Sequence, residues 1–158
     1  MRIIVFSDSH GNYSALRDVV EKHRDEADFF IHLGDGEREF ERIAQEYPAL
    51  ELRGVRGNCD WASTGKLTDA LRVSGRKVFF THGHIFHVKA ELDSLKQTAR
   101  GLGATIALFG HTHIAFTEYD DGLYLLNPGS ISAQGLGRAS YGIIDITPAG
   151  IITNIVRV

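Results

Sequence analysis

Seven polar side chains of types that bind metals each follow an apolar run in this sequence. Asp8 and His10 follow RIIVFS, Asp35 follows DFFIHLG, Asn58 follows LELRGVRG, His82 follows KVFFT, and His111 and His113 follow TIALFG. Within D-x-H and H-x-H, residues two apart point the same way if the chain is extended, so each pair is expected to form a fork aimed at one target. Asp8 and Asp35 both bring negative charge. Two carboxylates about 4 Å apart repel by about 4 kcal/mol at an effective dielectric of ~20, and cations remove that conflict. A mixture of imidazole, carboxylate and amide donors suits Mn, Fe, Co, Ni or Zn better than Ca. Seven donors exceed one tetrahedral shell and suit two ions that share a carboxylate. Such pairs lower the pKa of a bound water and clamp a phosphoryl group.

Taken singly, these residues say little. An Asp after a strand is ordinarily a turn residue or a helix cap, and a His beside an apolar strand is ordinarily a satisfied core or surface residue. The recurrence of the pattern at five strand ends is what points to metal chemistry. The stretch VRGNCDW holds the only cysteine, Cys59, which raises a competing reading of thiol-based hydrolysis. One cysteine excludes an internal disulfide and a four-thiolate zinc cluster.

The elements that must bring these residues together are legible from periodicity. Residues 2–7 form a continuous apolar, β-branched run, as in a strand buried on both faces. Asn12 can cap a helix on which Tyr13, Leu16, Val19, Val20 and His23 share a face. Residues 28–34 predict a second strand, Phe40, Ile43, Ala44 and Tyr47 mark a second helix, and residues 50–57 predict a third strand. This alternation implies a parallel sheet with right-handed crossovers. Later, hairpins are expected around Ser74-Gly75, Asp121-Gly122 and Pro148-Ala149-Gly150. A helix carrying Leu92, Leu95, Ala99 and Leu102 and a buried strand over 105–113 lie between them. Strands that are parallel first and antiparallel later predict two packed sheets with helices outside, in the α/β class. The glycine-rich stretch 133–140 is the expected mobile loop. In open α/β sheets ligands gather beyond the carboxyl ends of strands, where all seven residues fall.

Composition narrows the function. A chain of 158 residues suits one domain spanning 1–158. Seventeen basic against 20 acidic residues, with no Lys/Arg run, exclude an extended nucleic-acid binding surface. No apolar stretch approaches the ~20 residues of a membrane span, and the first apolar run meets Asp8 too early for a signal peptide. With a single cysteine, a cytoplasmic protein without a membrane partner is expected. A symmetric homodimer is the default expectation for assembly.

The fragments SDSHG, GDG, RGNCD, THGH and GHTH, in this order, resemble the calcineurin-like metallophosphoesterase superfamily. GNCD and the later NPGS are similar to its small prokaryotic phosphodiesterase branch. The resemblance implies an αββα sandwich of two mixed β-sheets flanked by helices. It implies two divalent transition-metal ions, manganese first, with Fe, Zn, Ni or Co as alternatives. One ion would sit at Asp8, His10 and His113, the other at Asn58, His82 and His111, with Asp35 bridging. The implied reaction is hydrolysis of a small phosphoester, a phosphodiester first of all, by in-line attack of a metal-bridging hydroxide. Asn58 is also expected to contact the phosphate. Many relatives read G-N-H-D/E, with the His facing the leaving-group oxygen, and here Cys59 takes that place. His84 therefore becomes the candidate general acid or phosphate contact. Trp61 is expected either to stack on an aryl or nucleobase leaving group or to serve as a hydrophobic lid or core residue. Arg56 is read as a phosphate contact or a solvated strand-end residue, and NPGS as a turn supporting the metal loops. His32 is read as structural, and His23 and His87 as surface or helix-associated. The alternative function is a non-catalytic metal-binding scaffold or interaction module of the retromer-subunit type.

Overall fold

The computed structural model describes residues 1–133 and 137–158. The elements, in chain order, are β1 (Arg2–Phe6), α1 (Tyr13–His23), β2 (Phe29–His32), α2 (Glu37–Glu46), β3 (Leu52–Gly54), β4 (Thr68–Val73), β5 (Arg76–Thr81), α3 (Asp93–Gly101), β6 (Ile106–Leu108), β7 (Phe116–Asp120), β8 (Leu123–Asn127), β9 (Ser140–Thr147) and β10 (Gly150–Arg157). A single 3-10 turn, His84–Phe86, follows β5. The strands form two five-stranded sheets, ordered β10-β9-β1-β2-β3 and β4-β5-β6-β8-β7.

Both sheets are mixed. β1, β2 and β3 run parallel, and the β9-β10 hairpin adds to β1 antiparallel. In the second sheet β5, β6 and β8 run parallel, with β4 and β7 as antiparallel edges. The expected switch from parallel to antiparallel along the chain is therefore corrected: the later strands include a parallel centre, and the last hairpin returns to the first sheet. The two-sheet architecture with helices outside is as expected.

Strand alternation explains the continuous apolar runs. Ile3, Val5, Ile31 and Leu33 face Val78, Phe80, Ile106 and Leu108 between the sheets. Ile4, Phe6 and Phe30 point the other way, onto Leu16, Val19 and Val20 of α1 and Phe40 and Ile43 of α2. Phe79, Ala107 and Leu125 cover Leu95 and Ala99 of α3. A strand with helices on one face and a sheet on the other has no polar side. Ala44 and Leu102, expected on buried helix faces, are exposed.

Local signals place the element ends. The Asn12 side chain accepts from the Ala15 N–H at 3.2 Å and caps α1. Two of the two-residue hairpin loops, Ser74-Gly75 and Asp121-Gly122, have positive φ at each position, as a tight type I′ turn requires, whereas Pro148-Ala149 between β9 and β10 does not. The stretch 133–140 lies partly outside the described residues.

Ile31 is fully buried between the sheets. Ile31→Ala should cost about 2–5 kcal/mol, read as a lower urea midpoint with an unchanged slope.

Candidate metal centre

The seven residues meet at one edge, where the carboxyl ends of strands from both sheets come together. Asp8 and His10 follow β1, Asp35 follows β2, Asn58 follows β3, His82 follows β5, and His111 and His113 follow β6. Six of them form two neighbouring groups of donor atoms, Asp8–His10–His113 and Asp35–His82–His111, and a third group, His10–Asp35–Cys59, shares one residue with each.

In the first group, Asp8 Oδ1 lies 3.1 Å from His113 Nε2 and 3.7 Å from His10 Nε2, and the two imidazole nitrogens are 3.3 Å apart. In the second, His82 Nε2 lies 3.4 Å from Asp35 Oδ2, 3.2 Å from His111 Nδ1 and 3.0 Å from Asn58 Oδ1. Metal–ligand bonds of about 2.0–2.2 Å put adjacent donors about 3 Å apart in an octahedron and about 3.4 Å apart in a tetrahedron. The other distances have these edge lengths, and the Asp8–His10 separation of 3.7 Å is longer. Asp35 Oδ2 is also 3.9 Å from His10 Nε2, so this carboxylate faces both groups. Asp8 Oδ2 takes hydrogen bonds from the Ser7 hydroxyl and the His111 N–H, while Oδ1 is buried against the His113 and His10 imidazoles with no well-aligned hydrogen bond. A buried carboxylate oxygen so placed among imidazole nitrogens fits a cation.

The backbone that presents these donors is not extended. Asp8, His10, Asp35, His111 and His113 all have φ between 42° and 67°. Asp and His tolerate the left-handed region better than most residues, at a cost of about 1–3 kcal/mol each. The expectation of extended forks is thus corrected. Asp8 and His10 do share a group, but His111 and His113 enter different groups, because left-handed turns re-aim each side chain. Loop-to-loop hydrogen bonds hold these turns. The Asp8 N–H donates to the Gly34 carbonyl at 3.0 Å, the His10 N–H to the Asp35 carbonyl at 3.0 Å, and the Gly110 N–H to the His82 carbonyl at 2.9 Å.

Other groups set orientation. The His82 Nδ1–H donates to the Leu33 carbonyl at 2.8 Å, which leaves Nε2 for the centre. The Cys59 N–H donates to Asp35 Oδ1 at 2.7 Å and turns Oδ2 inward. The Ser130 and Ser132 hydroxyls donate to the Asp8 carbonyl, and Asn127 Nδ2 donates to the Gly110 carbonyl and Thr112 Oγ1. The NPGS stretch therefore supports the metal loops as expected.

Asp60 was missed by motif reading and is central to this frame. Its Oδ2 accepts from the N–H groups of Asp35 and Gly57, at 2.8 and 2.7 Å. Its Oδ1 accepts from those of Gly36 and Glu37, at 3.0 and 3.1 Å. This one carboxylate caps α2, which has no side-chain cap of its own. The signal was available: a helix beginning at Gly36-Glu37 without a local Ser, Thr, Asp or Asn cap needs a remote acceptor. Gly57 must stay bare here, since a Cβ would collide with Asp35 Oδ1.

The electrostatics show competition for positive charge. Burial opposes ionisation of Asp8, but His113, His82 and the Ser7 hydroxyl hold it below the ordinary carboxylate value. Burial opposes ionisation of Asp35 as well, and His82 and the Cys59 N–H outweigh it. Burial disfavours charge on His82, yet Asp35 and Asp8 raise its pKa, and Asp8 raises that of His113. Burial and then His82 push His111 down to about 4.

The remaining expected residues fall as follows. His84 is half-buried, its ring 5.4 Å from that of His82 and 6.1 Å from that of His111, and its Nδ1 is buried without a partner. Burial, then His82, lowers its pKa. Cys59 is exposed as a residue, but burial of the thiol and then Asp35 push it up to about 11. A protonated thiol is a poor nucleophile, which counts against thiol-based hydrolysis. Trp61 is 89% exposed, so it is not a core residue. Arg56 donates to the Ser63 carbonyl at 3.2 Å. His32 is buried between the Gly34 N–H and the Ser9 hydroxyl. His87 is exposed, whereas His23, on α1, is buried against the Tyr141 hydroxyl rather than at the surface.

Asp60→Ala should weaken metal binding by about 10–100-fold, because it frees the loops that hold Asp35 and Asn58; calorimetric titration with Mn²⁺ measures this. Metal binding must also displace protons. Because the pKa values of His82 and His113 are raised, these protons persist to higher pH, and affinity falls as pH drops. Titration at pH 6 should give at least about tenfold weaker binding than at pH 8.

Comparison with known proteins agrees with this geometry. The profile of the calcineurin-like phosphoesterase superfamily domain matches residues 1–148. The probable metallophosphoesterase YsnB of Bacillus subtilis is 38% identical over 148 residues, 92% of this chain and 85% of its own. The phosphodiesterase YfcE of Escherichia coli is 29% identical over 168 aligned positions, covering 92% of this chain and 88% of its own. A predicted phosphoesterase from Streptococcus pneumoniae superposes with a TM-score of 0.87 at 28% identity, over 99% of this chain and 88% of that one. Vps29 from Entamoeba histolytica, solved in complex with Zn²⁺, shares the fold with a TM-score of 0.77 at 20% identity, over 99% of each chain. The chain belongs to the calcineurin-like phosphoesterase superfamily.

Proposed function

We propose that this chain is a dinuclear-metal-dependent phosphoesterase that acts first of all on phosphodiesters. The observation that carries the reading is the pairing of two donor groups across Asp35, with Asp8 Oδ1 buried against imidazoles in one of them. Asp8, His10 and His113 would hold one ion, Asn58, His82 and His111 the other, and Asp35 would be shared. Nitrogen and oxygen donors without thiolate favour manganese, with Fe, Zn, Ni or Co as alternatives. When bound, two such ions supply an acidified water and neutralise charge on the phosphoryl oxygens. A free thiol suits a cytoplasmic setting.

The chain's own residues do the rest. Cys59 and Asp60 fix Asp35 through backbone hydrogen bonds. Asn58 is exposed, with Oδ1 turned to His82 and Nδ2 donating to Cys59 Sγ at 3.5 Å, which leaves one amide N–H for a phosphoryl oxygen. The half-buried His84 ring packs beside the second group, 5.4 Å from that of His82. It serves as a hydrogen-bond donor to the phosphate rather than as the proton source for the leaving group. Relatives named as phosphodiesterase and probable metallophosphoesterase support an enzyme. The scaffold reading rests on likeness to Vps29 in fold and, at 28% identity over 68% of this chain, in sequence, and likeness alone does not decide function.

The purified protein with Mn²⁺ should hydrolyse bis(4-nitrophenyl) phosphate. Chelation or His113→Ala should reduce turnover by at least about 100-fold, whereas Cys59→Ser should retain most of it. Metal-loaded protein that is inert across a broad pH and substrate panel would instead support the scaffold. His84→Ala should lose about tenfold, equally for 4-nitrophenyl and phenyl leaving groups, because a phosphate contact does not sense leaving-group basicity. A much larger loss for phenyl would restore the acid role.

A further inference from the structure

His10 and Asp35 form the inner end of a cleft of about 620 Å³ that runs along the start of α2 to Trp61. That volume is in the range of small-molecule pockets and exceeds the needs of a phosphoryl group alone. His10 and Asp35 each belong to one of the two donor groups and also line this cleft, so a phosphoester held at the donor groups would send one arm into it.

The walls restrict what fills the remainder. Trp61, the only tryptophan in the chain, lines the cleft and is 89% exposed, so its indole adds nothing to the core. A free indole face is a stacking platform for an aromatic group. Glu37, Glu39 and Glu41 line the same cleft against a single cation, Arg38. The Ser63 hydroxyl holds Glu37 in place, and the Gly11 N–H and Ser9 hydroxyl hold Glu39.

We infer that this cleft receives the ester arm of the substrate and selects an aromatic arm with no negative charge beyond the reacting phosphate. The inference rests on the phosphoesterase reading of the metal centre and names its substrate class. The reacting phosphate is drawn to the cations, whereas a second anion on the arm would sit among the carboxylates of Glu37, Glu39, Glu41 and Asp60 and one guanidinium, that of Arg38. Nucleoside di- and triphosphates and bisphosphorylated sugars are therefore disfavoured. Aryl and nucleoside diesters are accepted, and an amino or quaternary group on the arm adds attraction through the carboxylates and the indole face.

A matched series of methyl benzylphosphonates tests this, because the aromatic arm is joined by an uncleaved P–C bond. The three probes carry no further substituent, a 4-carboxyl group or a 4-aminomethyl group. Binding to the Mn²⁺-loaded full chain is read from Trp61 fluorescence and from competitive inhibition of methyl 4-nitrophenyl phosphate hydrolysis. The neutral and cationic probes should bind about tenfold more tightly than the carboxylate at low salt, with the gap narrowing in about 0.5 M salt. Trp61→Ala should weaken the neutral probe about fivefold in the inhibition assay, and Trp61→Phe should largely restore it. Equal affinity for the carboxylate and neutral probes, or a neutral-probe affinity that Trp61→Ala leaves unchanged, would overturn the inference. If fluorescence sorts the probes by charge but no diester is hydrolysed, the cleft's selectivity stands and the phosphoesterase reading fails.

Discussion

Two buried carboxylates without a basic side chain to pair with are the constraint on which the rest depends. Asp8 and Asp35 both lie within 4 Å of His10 Nε2, and among the described residues no lysine or arginine forms an ion pair with either. Imidazoles are the sole neighbours able to supply positive charge, and burial works against charging them. Metal ions resolve the conflict without adding a buried cationic side chain. The left-handed turns at Asp8, His10, Asp35, His111 and His113 are strained features that such a site must retain. Hydrogen bonds from Asp60, Asn127, Ser130 and Ser132, set on the ends of two well-packed sheets, hold the loops in place.

What could be read from the sequence was local. The type I′ turns at Ser74-Gly75 and Asp121-Gly122, the Asn12 cap and the doubly buried β1 and β2 follow from short-range chemistry, and the structure has each of them. The donor residues were legible because each follows an apolar run. Pairing was not. Nothing local distinguishes β8, which runs parallel beside β6, from a strand that pairs only with its hairpin partner β7. The return of β9 and β10 to the first sheet is equally non-local. The left-handed backbone at D-x-H and H-x-H escaped a rule that assumes extension. Helical spacing puts His23 on the face of Leu16, Val19 and Val20, and all four are buried, so reading it as a surface residue goes against the periodic signal.

The position of Cys59 changes meaning once seen in three dimensions. Its backbone N–H, not its thiol, makes the structural contribution, by orienting the carboxylate that faces both donor groups. The cleft beside it is acidic and carries an exposed indole, so substrate choice can be set by charge and stacking while the metal groups stay the same. The fold shared with Vps29 shows that this architecture does not by itself decide between enzyme and scaffold.

The central claim is that the two carboxylates are reconciled by two cations. Anomalous diffraction from crystals grown with Mn²⁺ tests it most directly. The account predicts two peaks, one within bonding distance of Asp8, His10 and His113, the other of Asn58, His82 and His111, with Asp35 reaching both. A centre that binds a single ion, or none, with Asp8 and Asp35 held by protons instead, would contradict it.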